Sequence, residues 1–340
     1  MAIKKRIIWI DWAKSLCMFL VVLGHCHIQP SQNFITQIIY SFHIPLFFFI
    51  SGLLCSKSFS KSSVLKDIKY IIIPYFVFGI LQIFFHSLLS RDFSFHFYLL
   101  NIRSLCIGND ASIGAIWFLP ALFICKQLYY LLLWISKKSF FSHIFTLILS
   151  LFPTYFISLY NLNLMLFADS ALFGLPFYLI GNSCSFFLEK NWHKNTLPII
   201  ITSIFLFVLT IILSTYNGFV SLAVCNYGNN ILLYYINALT GVAAFIGACL
   251  LLKNHCIDFV ITTSYGTIVT LGIHGNILLV LQYYIPMFVG FYTPSISLSI
   301  AILYSSITYF ICYIIILLGD HYCPHLIGLK GCLQTKKDKM

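Results

Sequence analysis

Apolar segments long enough to cross a lipid bilayer recur along almost the whole of this 340-residue sequence. A transmembrane helix needs about 20 consecutive, mostly apolar residues. Because a backbone inside the bilayer must satisfy its hydrogen bonds within itself, we expect each such segment to be an α-helix. Segments of this kind lie at 7–28, 37–56, 70–89, 114–135, 140–160, 171–188, 196–216, 230–252, 260–283 and 297–319. The sequence therefore predicts an all-α, polytopic membrane protein with about ten transmembrane helices.

The amino-acid composition excludes the main alternatives to a membrane protein. Hydrophobic residues make up 60% of the sequence and charged residues 9%, whereas soluble domains carry about 25% charged residues. Such a chain has too few charges to cover a water-facing surface, to remain disordered or to form a broad nucleic-acid-binding face. We expect a single membrane domain over residues 1–340, with a helical core at 7–319 and a short basic tail at 320–340. No nucleic-acid partner is expected, and no protein partner is predicted.

The positions of the basic residues predict the orientation of the chain. Lysine and arginine are enriched in cytoplasmic loops of membrane proteins. Threading ten helices through the bilayer from a cytoplasmic N-terminus leaves Arg91 and Arg103 in external loops and Lys14 and Lys126 within helices. The other basic residues then fall on the cytoplasmic side: Lys4, Lys5, Arg6, Lys57, Lys61, Lys66, Lys69, Lys137, Lys138, Lys190, Lys194, Lys253, Lys330, Lys336, Lys337 and Lys339. We therefore expect both termini to be cytoplasmic and the protein to lie in the cell (plasma) membrane.

Twelve cysteines are present, and most of them lie inside the apolar segments. Cysteine at such positions packs as a small hydrophobic residue. No Cys-x-x-Cys pair occurs, so no metal site is expected. Cys106 and Cys225 fall in predicted external loops, which leaves a disulfide between them open.

The first apolar segment carries three ionisable side chains, each of which is costly inside a bilayer. Asp11 and Lys14 are three residues apart and can form an ion pair near the cytoplasmic boundary. His25 follows Lys14 by three helical turns, so it shares their face about 16 Å deeper. This face points to a functional site, although the two charges can also merely anchor the helix end while His25 bonds a neighbouring helix.

Six stretches of the sequence resemble, in order, the acyltransferase-3 family of integral membrane acyltransferases. They are IDWAKSLCMFLVVLGH ending at His25, SFHIPLFFFISGLL from Ser41, the run Lys66-Asp67-Ile68-Lys69 with IPYFVFG, WFLPALF from Trp117, LPFYLIG from Leu175, and SYGTIVTLGIHG from Ser264. Many family members have arginine where this chain has Lys14. Lysine at that position resembles the sugar O-acetyltransferases of the fucose 4-O-acetyltransferase type.

The resemblance implies a membrane-bound O-acyltransferase that moves an acyl group, most simply acetyl, from cytosolic acyl-CoA to a hydroxyl of a cell-surface or lipid-linked glycan. Acyl-CoA is then a co-substrate, and no permanently bound cofactor is expected. An imidazole exchanges protons near neutral pH, which suits a catalytic base for the acceptor hydroxyl. We expect the following roles: His25, His274 and Asp11 catalytic; Lys14, Lys66, Lys69, Ser264 and Tyr265 in acyl-CoA binding; His43 and Trp117 in acceptor binding.

Several of these residues also have a structural interpretation. The basic loop with Lys66 and Lys69 can serve to orient the chain in the membrane. His43 can cap or pack a helix, and Trp117 can belong to the belt of aromatic residues at the membrane interface. Lys126 can extend from its segment toward the cytosol.

A transporter or flippase for a polar or lipid-linked substrate is the alternative function. Many transporters also combine about ten spans with buried polar groups. They often contain inverted repeats, and none is visible in this sequence.

Overall fold

The computed structural model describes residues 6–30, 33–55, 60–108, 111–135, 140–160, 162, 164–188, 196–290 and 294–329. Within these ranges the chain forms fourteen α-helices and no β-strand. The helices are α1 Ile8–Gly24, α2 Asn33–Leu53, α3 Lys61–Asp67, α4 Ile73–Ser90, α5 Phe95–Ile107, α6 Phe118–Ile135, α7 Phe140–Tyr160, α8 Ala168–Ser183, α9 Thr196–Asn217, α10 Ile231–Leu251, α11 Asp258–Tyr265, α12 Thr267–Leu279, α13 Ile285–Val289 and α14 Leu298–Tyr322.

The all-α, polytopic architecture predicted from the sequence is confirmed. Each predicted apolar segment coincides with at least one of these helices. Eight helical stretches of the described residues are long and apolar enough to cross a membrane. α1 is shorter than the predicted first segment, because the helix ends at Gly24. The predicted cytoplasmic residues Lys4, Lys5, Lys57, Lys137, Lys138, Lys190, Lys194, Lys330, Lys336, Lys337 and Lys339 lie outside the described residues.

Prolines within the apolar segments do not end the helices. Pro45, Pro153 and Pro176 lie inside α2, α7 and α8. Neighbouring helices and local adjustments of the backbone make proline tolerable within a transmembrane helix. The α-helices of these two predicted segments therefore continue through their prolines, α2 as far as Leu53 and α8 as far as Ser183.

Residues 90–113, between the predicted apolar segments at 70–89 and 114–135, contain a helix of their own. α5 begins where the Ser94 hydroxyl accepts a hydrogen bond from the Phe97 amide, and it ends at Gly108 in the left-handed conformation. The Tyr75 hydroxyl of α4 donates to the carbonyl of Leu105 at 2.6 Å. With thirteen residues, α5 is too short to cross a bilayer.

α2 and α8 approach each other closely at two glycines. A methyl carbon added at Gly52 would lie 2.0 Å from the carbonyl oxygen of Tyr178, and one added at Gly181 would lie 2.1 Å from the carbonyl oxygen of Phe49. The side-chain amide of Asn182 donates a hydrogen bond to the backbone carbonyl of Gly52 at 3.1 Å. Small residues at such a crossing let two membrane helices pack backbone to backbone.

α1 lies in the middle of the bundle and contacts α2, α10, α11, α12 and α14. The Ser15 hydroxyl lies 2.7 Å from that of Thr263 on α11, and the Tyr309 hydroxyl on α14 donates to the Ser15 carbonyl at 2.7 Å. Beyond α1, the backbone of Ile28 pairs with that of Ile296, just before α14. These contacts hold the middle of α1 against α11 and α14, and the segment after α1 against the residues that precede α14.

Cys106 and Cys225 are both free thiols, so the disulfide that the sequence left open is not formed. Cys17, Cys125 and Cys312 are buried, as their apolar surroundings predict.

Candidate active site

Three histidines from three helices lie in one layer of the bundle. His25 follows the last residue of α1, His43 lies in α2 and His274 lies in α12. The ring centroids of His25 and His274 are 5.1 Å apart. Tyr40 lies between His25 and His43, with its ring centroid 6.2 Å from that of His25 and 4.8 Å from that of His43. The structure thus brings together the histidines that the sequence singled out.

The backbone orients two of these imidazoles. His43 Nδ1 lies 2.8 Å from the carbonyl oxygen of Ile39, and His274 Nδ1 lies 2.8 Å from that of Thr270. A carbonyl oxygen can only accept, so each Nδ1 carries the hydrogen and each Nε2 presents its lone pair. His274 Nε2 is buried and has no hydrogen-bond partner among the described residues. It is therefore an available acceptor beside His25.

A small cavity of about 70 Å³ opens between His25, His43 and Trp117. His25, Tyr40, His43 and Trp117 contribute to its wall. Trp117 is only 6% exposed. It therefore does not belong to a lipid-facing aromatic belt, and it faces the same space as the histidines. We call this space the histidine cavity.

A larger cavity of about 600 Å³ lies on the side of the bundle where α1 begins. Three lysines of the described chain contribute to its wall, namely Lys14, Lys66 and Lys126, together with Asp67. Lys126 forms an ion pair with Asp67, so it does not simply extend toward the cytosol. We call this space the lysine cavity. Its wall carries more cationic than anionic side chains, which suits a phosphate-bearing ligand.

The two cavities adjoin each other. Val21 of α1, Ile44 of α2 and Leu271 of α12 line both of them. We call these three side chains the collar. Lys14 of the lysine cavity and His25 of the histidine cavity are separated by about 16 Å along the axis of α1.

Asp11, which the sequence predicts to be catalytic, lies outside the wall of the histidine cavity and contacts Arg6 and Ser264 instead. Its carboxylate accepts two hydrogen bonds from the Arg6 guanidinium, at 2.5 and 2.9 Å, and a third from the Ser264 hydroxyl at 2.7 Å. The predicted partner of Asp11 was Lys14, but Arg6 takes that position with the bidentate geometry that a guanidinium offers. Asp11 and Ser264 thereby join α1 to α11.

Ser264, Tyr265 and Lys69 were predicted to contact the acyl donor, and none of them is part of the wall of the lysine cavity. The Tyr265 hydroxyl donates to Asp320 at 2.9 Å, which ties α11 to α14. The Lys69 ammonium lies over the ring of Tyr70, 5.6 Å from its centroid. Of the five predicted donor-binding residues, the structure places Lys14 and Lys66 at the cavity.

Sequence reasoning missed two features of the site. Tyr40 was not singled out, although it precedes His43 by three residues and so shares its helix face. The ion pair of Lys126 and Asp67 was also missed. A lone lysine in the middle of an apolar segment is the signal for such a pair, since a membrane-embedded charge needs a partner.

Comparison with known proteins identifies the family. No curated protein and no solved structure is significantly similar to the chain. Within the described residues, no group of three His, Cys, Asp or Glu side chains is arranged to hold a metal ion. A family model described as an acyltransferase domain matches residues 7–317. The match includes every helix from α1 to α13 and most of α14. The chain therefore belongs to the acyltransferase-3 family of membrane acyltransferases.

Proposed function

We propose that the protein transfers an acyl group, most simply acetyl, from cytosolic acyl-CoA to a hydroxyl of a cell-surface or lipid-linked glycan. One observation carries the proposal: the lysine cavity and the histidine cavity adjoin through the collar, with Lys14 and His25 about three helical turns apart. Donor and acceptor can thus approach from different sides and meet at His25. The orientation predicted from the basic residues puts the lysine cavity on the cytoplasmic side of the plasma membrane.

The lysine cavity is suited to coenzyme A. Its volume of about 600 Å³ falls in the range of ligand pockets, about 300–1,000 Å³. Lys14 and Lys66 present ammonium groups for the phosphates of CoA. Lys126 is paired with Asp67, and we propose Lys14 and Lys66, which both line the cavity, as the cations that bind the donor. The narrow thioester arm then extends along α1 toward the collar.

The histidine cavity supports a direct transfer to a hydroxyl. His25 takes the proton of the acceptor hydroxyl while the oxygen bonds to the carbonyl carbon of the thioester. The C–S bond then breaks, the sulfur leaves as the CoA thiolate, and the proton held by His25 neutralises it. His43 and Trp117 line the same cavity, and we propose that they contact the acceptor.

We propose that His274 positions His25 through a hydrogen bond that a small rotation of the two rings would form, since His274 Nε2 has no partner in the part of the chain that the structure describes. A ring separation of 5.1 Å is close to that of two imidazoles sharing an N–H···N hydrogen bond of about 3 Å.

His274→Gln, which keeps an acceptor, is expected to retain several-fold more activity than His274→Phe. Steady-state kinetics should show a lower kcat with an unchanged KM for acyl-CoA in both variants. Equal losses in the two variants, or a change in KM alone, would contradict this role.

The function is tested with the purified protein in lipid nanodiscs and isotopically labelled acetyl-CoA. Label should appear in a glycan fraction from the native membrane. Mass analysis should show acetyl groups on the surface glycans of cells that make the protein and not on those of cells that lack it.

Lys14→Met is expected to raise the KM for acetyl-CoA by about 10-fold or more, since a charged hydrogen bond contributes about 1.5–3 kcal/mol. Lys61→Met is the matched control, because Lys61 is exposed and lies outside the wall of the lysine cavity.

Two results would contradict the proposal. A wild-type protein that moves no label from acetyl-CoA is not the proposed enzyme. If that protein instead carries a polar or lipid-linked substrate across the nanodisc or vesicle membrane, the transporter alternative is correct.

A further inference from the structure

We infer that the collar, together with the histidine cavity, limits the transferred group to a short acyl chain. The inference rests on the proposed function and goes beyond it, because it assigns donor selectivity to Val21, Ile44 and Leu271. These residues lie where the acyl end of a donor in the lysine cavity must pass to reach His25.

Each collar residue is close in sequence to one histidine of the site. Val21 precedes His25 by one helical turn, Ile44 directly follows His43, and Leu271 precedes His274 by one turn. The three helices therefore place a branched apolar side chain and an imidazole at neighbouring levels of the bundle. A thioester whose sulfur lies at the collar would present its carbonyl carbon to the histidine layer.

The collar is tightly packed and has little room to widen. Val21 is 2% exposed, and Ile44 and Leu271 are each 7% exposed. Closely packed side chains of this kind cannot make room for extra methylene groups without displacing their neighbours. A longer acyl chain would therefore have to disturb three helices at once.

The histidine cavity beyond the collar is also small. One ordered water needs about 10–15 Å³ of such space, so a cavity of about 70 Å³ holds a group of a few heavy atoms. Trp117 and Tyr40 form large, rigid parts of its wall. An acetyl group and an acceptor hydroxyl fit in this space, whereas a chain with several methylene groups does not.

The test compares acetyl-, propionyl- and butyryl-CoA as donors for the purified protein in nanodiscs. The wild type should prefer acetyl-CoA, with kcat/KM falling about 10–200-fold for each added methylene group. Leu271→Ala should raise kcat/KM for butyryl-CoA relative to acetyl-CoA by at least about 10-fold. Leu278→Ala is the matched control. Leu278 lies two turns further along α12, is 4% exposed and lies outside the walls of both cavities. Its replacement should therefore leave the donor ratio, which is kcat/KM for butyryl-CoA divided by kcat/KM for acetyl-CoA, at the wild-type value.

Val21→Ala provides the same test from a different helix, should Leu271→Ala fail to fold. A wild type that uses butyryl-CoA as well as acetyl-CoA would overturn the inference. So would a well-folded collar variant with the wild-type donor ratio. In both cases acyl transfer itself persists, so the proposed function stands. A wild type that uses none of the three donors overturns the function and the inference together.

Discussion

His25→Ala is expected to reduce acyl transfer by about 10²–10⁴-fold, the contribution of a well-placed general base. The ring of His25 faces the histidine cavity and lies 5.1 Å, between centroids, from that of His274. Alanine removes the group that we propose to take the proton of the acceptor hydroxyl. Because His25 follows the last residue of α1, we expect the packing of the helix itself to be unaffected. The rate should be measured with saturating acetyl-CoA, after confirming that the variant inserts into the membrane at the wild-type level.

His27→Ala is the control for this experiment. His27 is two residues further along the chain, is exposed and packs against the ring of Tyr283, with a centroid distance of 5.4 Å. It is not part of the wall of the histidine cavity. Its replacement should leave the rate unchanged. A His25→Ala protein that inserts normally and keeps its activity would show that another group acts as the base.

Gly181→Ala is expected to lower the free energy of unfolding by about 3 kcal/mol or more, the upper end of the range for overpacking. The added methyl carbon would lie 2.1 Å from the carbonyl oxygen of Phe49. That oxygen belongs to the backbone of α2, so the whole helix would have to move away from α8. The separation would also strain the hydrogen bond from Asn182 to the Gly52 carbonyl, which is 3.1 Å long.

Thermal unfolding of the detergent-purified variants measures this effect. Gly275→Ala is the matched control, since no heavy atom beyond its own stretch of helix lies within 4 Å of the position that a methyl carbon would take there. Alanine is also a better helix former than glycine by about 0.5–1 kcal/mol. We expect a lower melting temperature for Gly181→Ala and an equal or higher one for Gly275→Ala. Similar melting temperatures for the two variants would contradict the importance of the crossing of α2 and α8.

The helices could be predicted because the bilayer demands long apolar segments, and each predicted segment is helical. The shared layer of His25 and His43 could also be predicted, since a short loop joins their helices. The ion-pair partner of Asp11 could not be predicted from the sequence. Both Arg6 and Lys14 are within reach in the sequence, and the choice of Arg6 depends on how α1 and α11 pack.

Other features of the site depend on distant contacts that a single sequence does not reveal. Trp117 resembles an interfacial residue in its segment, but Phe118 and Phe167 enclose it, with ring centroids 6.2 and 5.9 Å away. The pairing of Lys126 with Asp67 joins residues that are 59 positions apart. The lysine cavity likewise requires residues from five helices and from Gly328, beyond the end of α14.

The collar also has a consequence for the permeability of the membrane. An enzyme that receives its donor on one face of the membrane and its acceptor on the other needs cavities that open toward both faces. A continuous file of water through them would leak protons and small ions and dissipate the gradients of the cell. A constriction of apolar side chains excludes such water. Val21, Ile44 and Leu271 would thus let an uncharged acyl group pass while keeping the two aqueous compartments electrically separate.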